Sequence, residues 1–494
     1  MNAARQLGLA EAVHLDQVAS DILLGEPQRE AAQTMVGREG YNLLVVSDLH
    51  LGDALVPGKD SLRQFARLNR GLAKFLLHYA NAAVDGRPWR LVINGDMIDF
   101  LHAGLAQGSE LALSEDAAVR WLEKVMSHER RVFRALATFI AAGHQVVIVK
   151  GNHDVQFHFA TVQRRFLNLL SDLWAKWAPR AGVTPTEEER AAFEGRVSFR
   201  DWFYYEKDLV YIEHGNQYDE FCSYEHVLQP IDPDLYELEE PVSHRLYREF
   251  ARIIHAVMDV HHIDRWRLLD YVRWLAGLGP KVIGQLAYTY FASVSWLVGT
   301  KRRLAERAAR ARVQHLSRRE ELTVRYGVSA EILEKLDELR HRPAGRSVWT
   351  GLRMLYMDRV FLAGANVLVM LIALFLPIDW WDRVLVVTGF GLLTTLANQL
   401  LERRRQVEAH PKLKKAAGRV ADLLRVPFVV FGHSHVPEAS QAAASTRYFN
   451  TGSWTAGGLT HLCILIAPGS PVAELRRFCL DSHLPMALDA AAVE

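Results

Sequence analysis

Five short apolar runs, far apart in the chain, all end in the same way. They are LLVVSDLH (Leu43–His50), VINGD (Val92–Asp96), VIVKGNHD (Val147–Asp154), VYIEHG (Val210–Gly215) and VVFGHSH (Val429–His435). Runs this short and this rich in valine and isoleucine read as strands buried on both faces. At the end of each, aspartate, asparagine or histidine replaces the hydrophobic residues. Strand ends of one open sheet converge on a common crevice. The fold must therefore carry these donors to one place, and that requirement constrains the chain more than any other feature.

The segments between the runs supply the crossovers. Helical periodicity is expected from Ser61 to Ala83 and from Ser114 to Ala142, which makes βαβ units and a largely parallel inner sheet. The stretch VSFRDWFYYEKDLVYIEHG reads as two strands around the turn Glu206-Lys207-Asp208. From about 223 to 426 the strand signal gives way to long helical patterns. It returns in VPFVVFGHSH, TRYFNTGSW, THLCILIAP and PVAELRRF. The expected class is thus α/β, one domain interrupted by a helical insertion. Its parts are a helical extension (1–35), a core in two pieces (36–225 and 426–482), an insertion (226–358), an apolar hairpin (359–401), a basic helical segment (402–425) and a tail (483–494).

Asp48 and His50, two residues apart, share a face of their strand. With Asp96, Asn152, His214, His433 and His435 they make a set of carboxylate, amide and imidazole donors suited to Mn, Fe, Co or Zn. Composition agrees, because 21 histidines accompany only three cysteines, none in a CxxC spacing, so neither thiolate zinc nor a disulfide framework is indicated. A formal net charge of +1 gives no global field for nucleic acid. Asp99 reads equally as a residue ordering the site or as a helix cap. Asn216, Gln217, Tyr218 and Asp219 read as pocket lining or as plain loop. His226, His244, His255, His261 and His262 read as ordinary histidines of the insertion, and Asn450 as part of a turn.

The ordered set D-x-H, GD, GNHD, a histidine before glycine, and GHxH resembles the calcineurin-like metallophosphoesterase superfamily over roughly 40–220 and 426–480. The resemblance implies an αββα sandwich and a centre of two divalent metals, Mn first, with Fe, Zn or Co as alternatives. It implies that Asp48, His50 and His435 hold one ion, that Asn152, His214 and His433 hold the other, and that Asp96 bridges them. His153 would contact the substrate phosphate and assist the leaving group, supported by Asp154. The stretch SDLHL also resembles UDP-2,3-diacylglucosamine diphosphatases, which often carry arginine where this chain has His153. A metal-dependent nuclease and a non-catalytic membrane scaffold are the alternatives.

Val360–Ile378 and Val384–Leu401 carry no charge, are joined by a loop containing Trp380, Trp381 and Arg383, and are flanked by arginines and lysines. This pattern predicts a transmembrane hairpin with both ends in the cytoplasm. A third uncharged stretch, Val282–Gly299, is expected as a buried or interfacial helix, since His214 and His433 must meet on one side of the bilayer. The basic helix Lys301–Leu322 is a candidate for contact with anionic lipid. The expected substrate is a phosphoester or pyrophosphate attached to a lipid.

Overall fold

The computed structural model describes residues 40–55, 61–105, 111–181, 184–241, 244–245, 248–249, 277, 279–344, 357–403, 409–455, 458–466 and 470–488. The extension at 1–35 and His255, His261 and His262 lie outside these. The strands are β1 (Asn42–Val46), β2 (Trp89–Asn94), β3 (Gln145–Val149), β4 (Val197–Arg200), β5 (Phe203–Glu206), β6 (Val210–Glu213), β7 (Phe428–Phe431), β8 (Glu438–Ala443), β9 (Thr446–Asn450), β10 (Thr460–Leu465), β11 (Val472–Phe478) and β12 (Pro485–Ala487). The helices are α1 (Ser61–Asn81), α2 (Glu115–His128), α3 (Arg130–Ala141), α4 (Ala160–Trp177), α5 (Glu187–Glu194), α6 (Pro280–Tyr326), α7 (Ala330–Leu339), α8 (Met357–Phe375), α9 (Trp380–Arg403) and α10 (Ala409–Leu424).

Two sheets form. The larger has seven strands in the order β12-β11-β10-β1-β2-β3-β4, and the smaller has five in the order β5-β6-β7-β9-β8. Strands β1 to β4 run parallel, as do β6, β7 and β9, so their C-terminal ends point in common directions. The alternation of side chains along a strand explains why both faces are apolar. Leu44 and Val46 join a core formed with α1 to α4, while Leu43 and Val45 face inward with Val92, Val147, Ile212, Val430 and Phe449. A third core covers the outer face of the smaller sheet with residues of α6, α7 and α10. Helix, sheet, sheet and helix thus stack in layers.

Three expectations need correction. The stretch at 197–214 forms three strands: the chain breaks at Asp201-Trp202, where it leaves the larger sheet at β4 and enters the smaller at β5. The expected helix from Ser114 to Ala142 divides at Glu129, whose backbone (φ −92°, ψ 30°) departs from helical geometry. Val282–Gly299 is helical as expected, forming the first part of the 47-residue α6, and of its two readings the buried one fails at Tyr288, 77% exposed, and Phe291, 57% exposed.

The transmembrane hairpin is also overturned, because among the described residues no helix is long and apolar enough to cross a membrane. The apolar run Val360–Ile378 does not stay helical, since α8 ends at Phe375 ahead of Pro377. Its uncharged part, Val360–Phe375, reaches only about 24 Å at 1.5 Å per residue, against a hydrocarbon core of about 30 Å. In α9, Asp382 lies in the first turn and Thr388, Thr394, Thr395, Asn398 and Gln399 interrupt the apolar character. The arrangement of a catalytic domain facing the cytoplasm rested on that span and loses its support with it.

Candidate metal centre

The donors cluster where parallel strands end. After β1 the chain turns through Asp48 (φ 54°) and His50 (φ 45°), after β2 through Asp96 (φ 52°), and after β7 through His433 (φ 64°) and His435 (φ 58°). These are left-handed conformations that residues with a Cβ seldom adopt, at roughly 1–3 kcal/mol each. Their concentration on donor residues marks a place where packing forces the backbone to aim side chains inward. Glycine supplies the remaining room. A Cβ at Gly151 would collide with the Asp96 carboxylate, and one at Gly432 would lie 2.8 Å from Asp48 Oδ2.

Among the described residues five overlapping groups of donors have their ligand atoms within 4.8 Å of one another, and three of them involve the expected ligands and His153: Asp48, His50 and His435; His50, Asp96 and His153; Asp96, His214 and His433. Asp96 belongs to two of them. Its Oδ2 lies 3.1 Å from His214 Nε2 and 3.9 Å from His50 Nε2, so it stands between the sets. His435 Nε2 is 3.1 Å from Asp48 Oδ1. Asn152 joins through Oδ1, 3.2 Å from His214 Nε2. The structure therefore brings together Asp48, His50, Asp96, Asn152, His214, His433 and His435.

The outer partners decide which atoms face the crevice. His50 donates Nδ1–H to Asp99 Oδ2 (3.0 Å), and His214 donates Nδ1–H to the Asn94 carbonyl (2.9 Å). Each ring then turns a bare Nε2 inward, the tautomer a metal ligand needs. His50 Nε2 is buried and makes no hydrogen bond, and Asp48 Oδ1 meets only the His435 imidazole. Buried polar atoms are ordinarily paired, so the bare His50 nitrogen beside a buried carboxylate fits a cation. Without one, the carboxylates hold protons on the imidazoles. Burial works against charge on His50, but its hydrogen bond to Asp99 and the charges of Asp96, Asp99 and Asp53 push it up to about 10. Burial likewise opposes charge on His214, yet Asp96 lifts it to about 9. Asp48 falls to about 2, its burial outweighed chiefly by His435. A divalent ion would replace these protons.

Asp154 is not the partner of His153. Its carboxylate, fully buried, accepts from the backbone N–H groups of Gly151 (2.6 Å) and Met97 (2.8 Å), tying two strand-end loops together. Adjacent residues here point to opposite sides, which removes Asp154 from the role expected of it. Asp99 takes that place: its Oδ2 accepts from His153 Nδ1 at 2.8 Å and from His50, and its Oδ1 accepts the backbone N–H of His102 at 3.2 Å. Both of its readings hold, since the same carboxylate that orders the two histidines also caps the short helix Leu101–Leu105 through His102. The signal was present in GDMID, where Asp99 follows Asp96 by three positions.

His244, read as an ordinary histidine, lies against the centre. Burial drops it to about 3, so its neutral Nε2 accepts from Asn152 Nδ2 at 3.2 Å. That bond turns Asn152 Oδ1 toward His214. No motif announces His244, because it comes from the insertion. Of the loop after His214, Gln217 and Tyr218 are structural. The Tyr218 hydroxyl joins the Tyr211 hydroxyl and Trp202 Nε1 on the buried Glu213 carboxylate, and Gln217 Oε1 accepts the Tyr224 N–H. Asp219 instead reaches the centre, 3.3 Å from His433 Nε2. Asn450 braces the GHxH loop through Gly432 O and Ser434 Oγ.

A two-sheet sandwich with such donors at its strand ends defines a metal-dependent phosphoester hydrolase. The calcineurin-like phosphoesterase family model matches residues 41–281, so this part of the chain is a calcineurin-like phosphoesterase domain. A search of curated proteins gave no match.

Proposed function

We propose that this metallophosphoesterase is dinuclear, with Asp48, His50, Asp96 and His435 around one ion, Asp96, Asn152, His214 and His433 around the other, and Asp96 shared. The observation that carries the reading is the buried, unpartnered His50 Nε2 at the edge shared by overlapping donor groups. Bound there, divalent ions would supply Lewis acidity toward the phosphoryl group and an activated water. His153, partly exposed and held by Asp99, stands at the open side as the proton donor to the leaving oxygen. Asp99 keeps its proton in place and fixes the ring. Mn is the first metal to try, followed by Fe, Zn and Co.

The substrate we propose is a phosphoester or pyrophosphate carrying acyl chains, a UDP-linked acylated sugar being one candidate. Support comes from α8 and α9, inserted between His214 and His433, which hold Phe361 62%, Leu368 58%, Phe375 82%, Trp380 69% and Leu392 63% exposed. Exposed apolar surface on this scale marks an interaction site. The test compares an acylated substrate with its deacylated headgroup in mixed micelles, after a screen of phosphomonoesters and diesters with Mn-loaded protein. Equal catalytic efficiency on both would remove the lipid assignment. Asp96→Ala should abolish turnover and lower metal content, whereas His153→Ala should keep its metal and lose rate. Loss of metal in His153→Ala as complete as in His433→Ala would overturn the division of roles.

A further inference from the structure

A further group of donors adjoins the centre and shares only His433 with it. Asp219, Cys222 and His433 present ligand atoms within 4.8 Å of one another. The loop that carries the first two is rigid. Gly215 (φ 107°) starts it, and the N–H groups of Cys222 (3.0 Å) and Ser223 (2.9 Å) both close on the Asp219 carbonyl. Asn216 Nδ2 fixes the Cys222 carbonyl at 3.0 Å. The side chains of Asp219 and Cys222 are thereby held on the same side as His433. Lys412 Nζ lies nearer Glu220 Oε2, at 2.8 Å, than Asp219 Oδ1, at 3.7 Å.

We propose that Asp219, Cys222 and His433 form a third metal position that selects zinc over manganese and inhibits the enzyme when filled. The inhibitory part rests on the dinuclear reading above; the binding part does not. A thiolate favours zinc or cobalt, while carboxylate and imidazole alone discriminate less. His433 is common to this group and to the Asp96–His214 group, and a nitrogen lone pair serves one ion at a time. An ion drawn to Cys222 therefore takes His433 from the catalytic set. Binding releases the thiol proton to solvent.

The test uses the full chain loaded with Mn. Cobalt added beyond that load should produce a near-ultraviolet thiolate-to-cobalt charge-transfer band, and added zinc should inhibit Mn-supported turnover. Cys222→Ser should lose the band and raise the inhibitory zinc concentration at least about 10-fold, with its Mn-supported turnover near that of the unaltered chain. Asp219→Ala should weaken the band, which guards against an effect peculiar to one substitution. A band or zinc sensitivity unchanged in Cys222→Ser, or no band in the unaltered chain, overturns the proposal. The band reads metal binding alone, so it decides the site even where no substrate is turned over.

Discussion

Asp99→Asn gives the sharpest test of how the centre is organised. The carboxylate accepts from His153 Nδ1 at 2.8 Å and from His50 Nδ1 at 3.0 Å, and its side chain is almost wholly buried. An asparagine of the same shape retains one acceptor oxygen but removes the charge. Hydrogen bonds to charged groups contribute about 1.5–3 kcal/mol each, so weakening two of them should raise the barrier by about 3–4 kcal/mol. That corresponds to a fall in kcat of about 10²–10³-fold. Because about half of the loss passes through His153, the double variant Asp99→Asn/His153→Ala should fall only about 10–30-fold below His153→Ala. Asp154→Asn should behave differently. It weakens bonds to Gly151 and Met97, so it should lose about 1–3 kcal/mol of stability with kcat within about 10-fold of the original. The assay is steady-state turnover of diesters with good and poor leaving groups, alongside urea unfolding. Equal damage to kcat from Asp154→Asn and Asp99→Asn, or full multiplicativity in the double variant, would refute the reasoning.

Acid should destabilise the fold through two buried histidines away from the metals. Burial lowers His144 to about 4 and His461 to about 3. Since both folded values lie below the unfolded value near 6.5, the stability they contribute is complete above that pH. It should be lost as pH falls toward 4 and then 3, by roughly 3–5 kcal/mol per histidine at most; a flat urea midpoint from pH 6.5 to 4 would contradict this. Gly151→Ala should drive Asp96 from its position and lower metal stoichiometry, as measured by elemental analysis, while far-ultraviolet circular dichroism stays unchanged. His244→Ala frees Asn152 Nδ2 and should weaken metal affinity by about 10–100-fold, readable by calorimetric titration; affinity equal to that of the unaltered chain would show that His244 does not hold the amide.

The donor residues were legible because strand ends carry a strong local signal, an apolar run stopped by a polar residue and a glycine. What adjacency suggested was less dependable. Asp154 follows His153 in the chain, yet a tight turn sends the two side chains to different partners, and the acid that holds His153 comes from another strand end. His244 could not be read at all, since only the packing of the insertion against Asn152 gives it a role. The break at Asp201-Trp202 was hidden because strands of both sheets are equally apolar. In the hairpin, composition suggested length enough for a span. Helix length is set by where the backbone turns, and α8 stops at Phe375, before its apolar residues do.

Strand β7 lies between β6 and β9 in the smaller sheet, and β10 pairs with β1 in the larger one, Val45 opposite Leu462. These pairings join segments separated by the whole insertion, and contacts of such sequence separation form late and slowly. During synthesis, then, Asp48, His50, Asp96, Asn152 and His214 emerge long before His433 and His435. Until β7 slots into its sheet, the early donors have an exposed edge beside them and an incomplete hold on any ion. Completion of the donor set therefore waits on β7, and a product that ends before it carries only the first five donors.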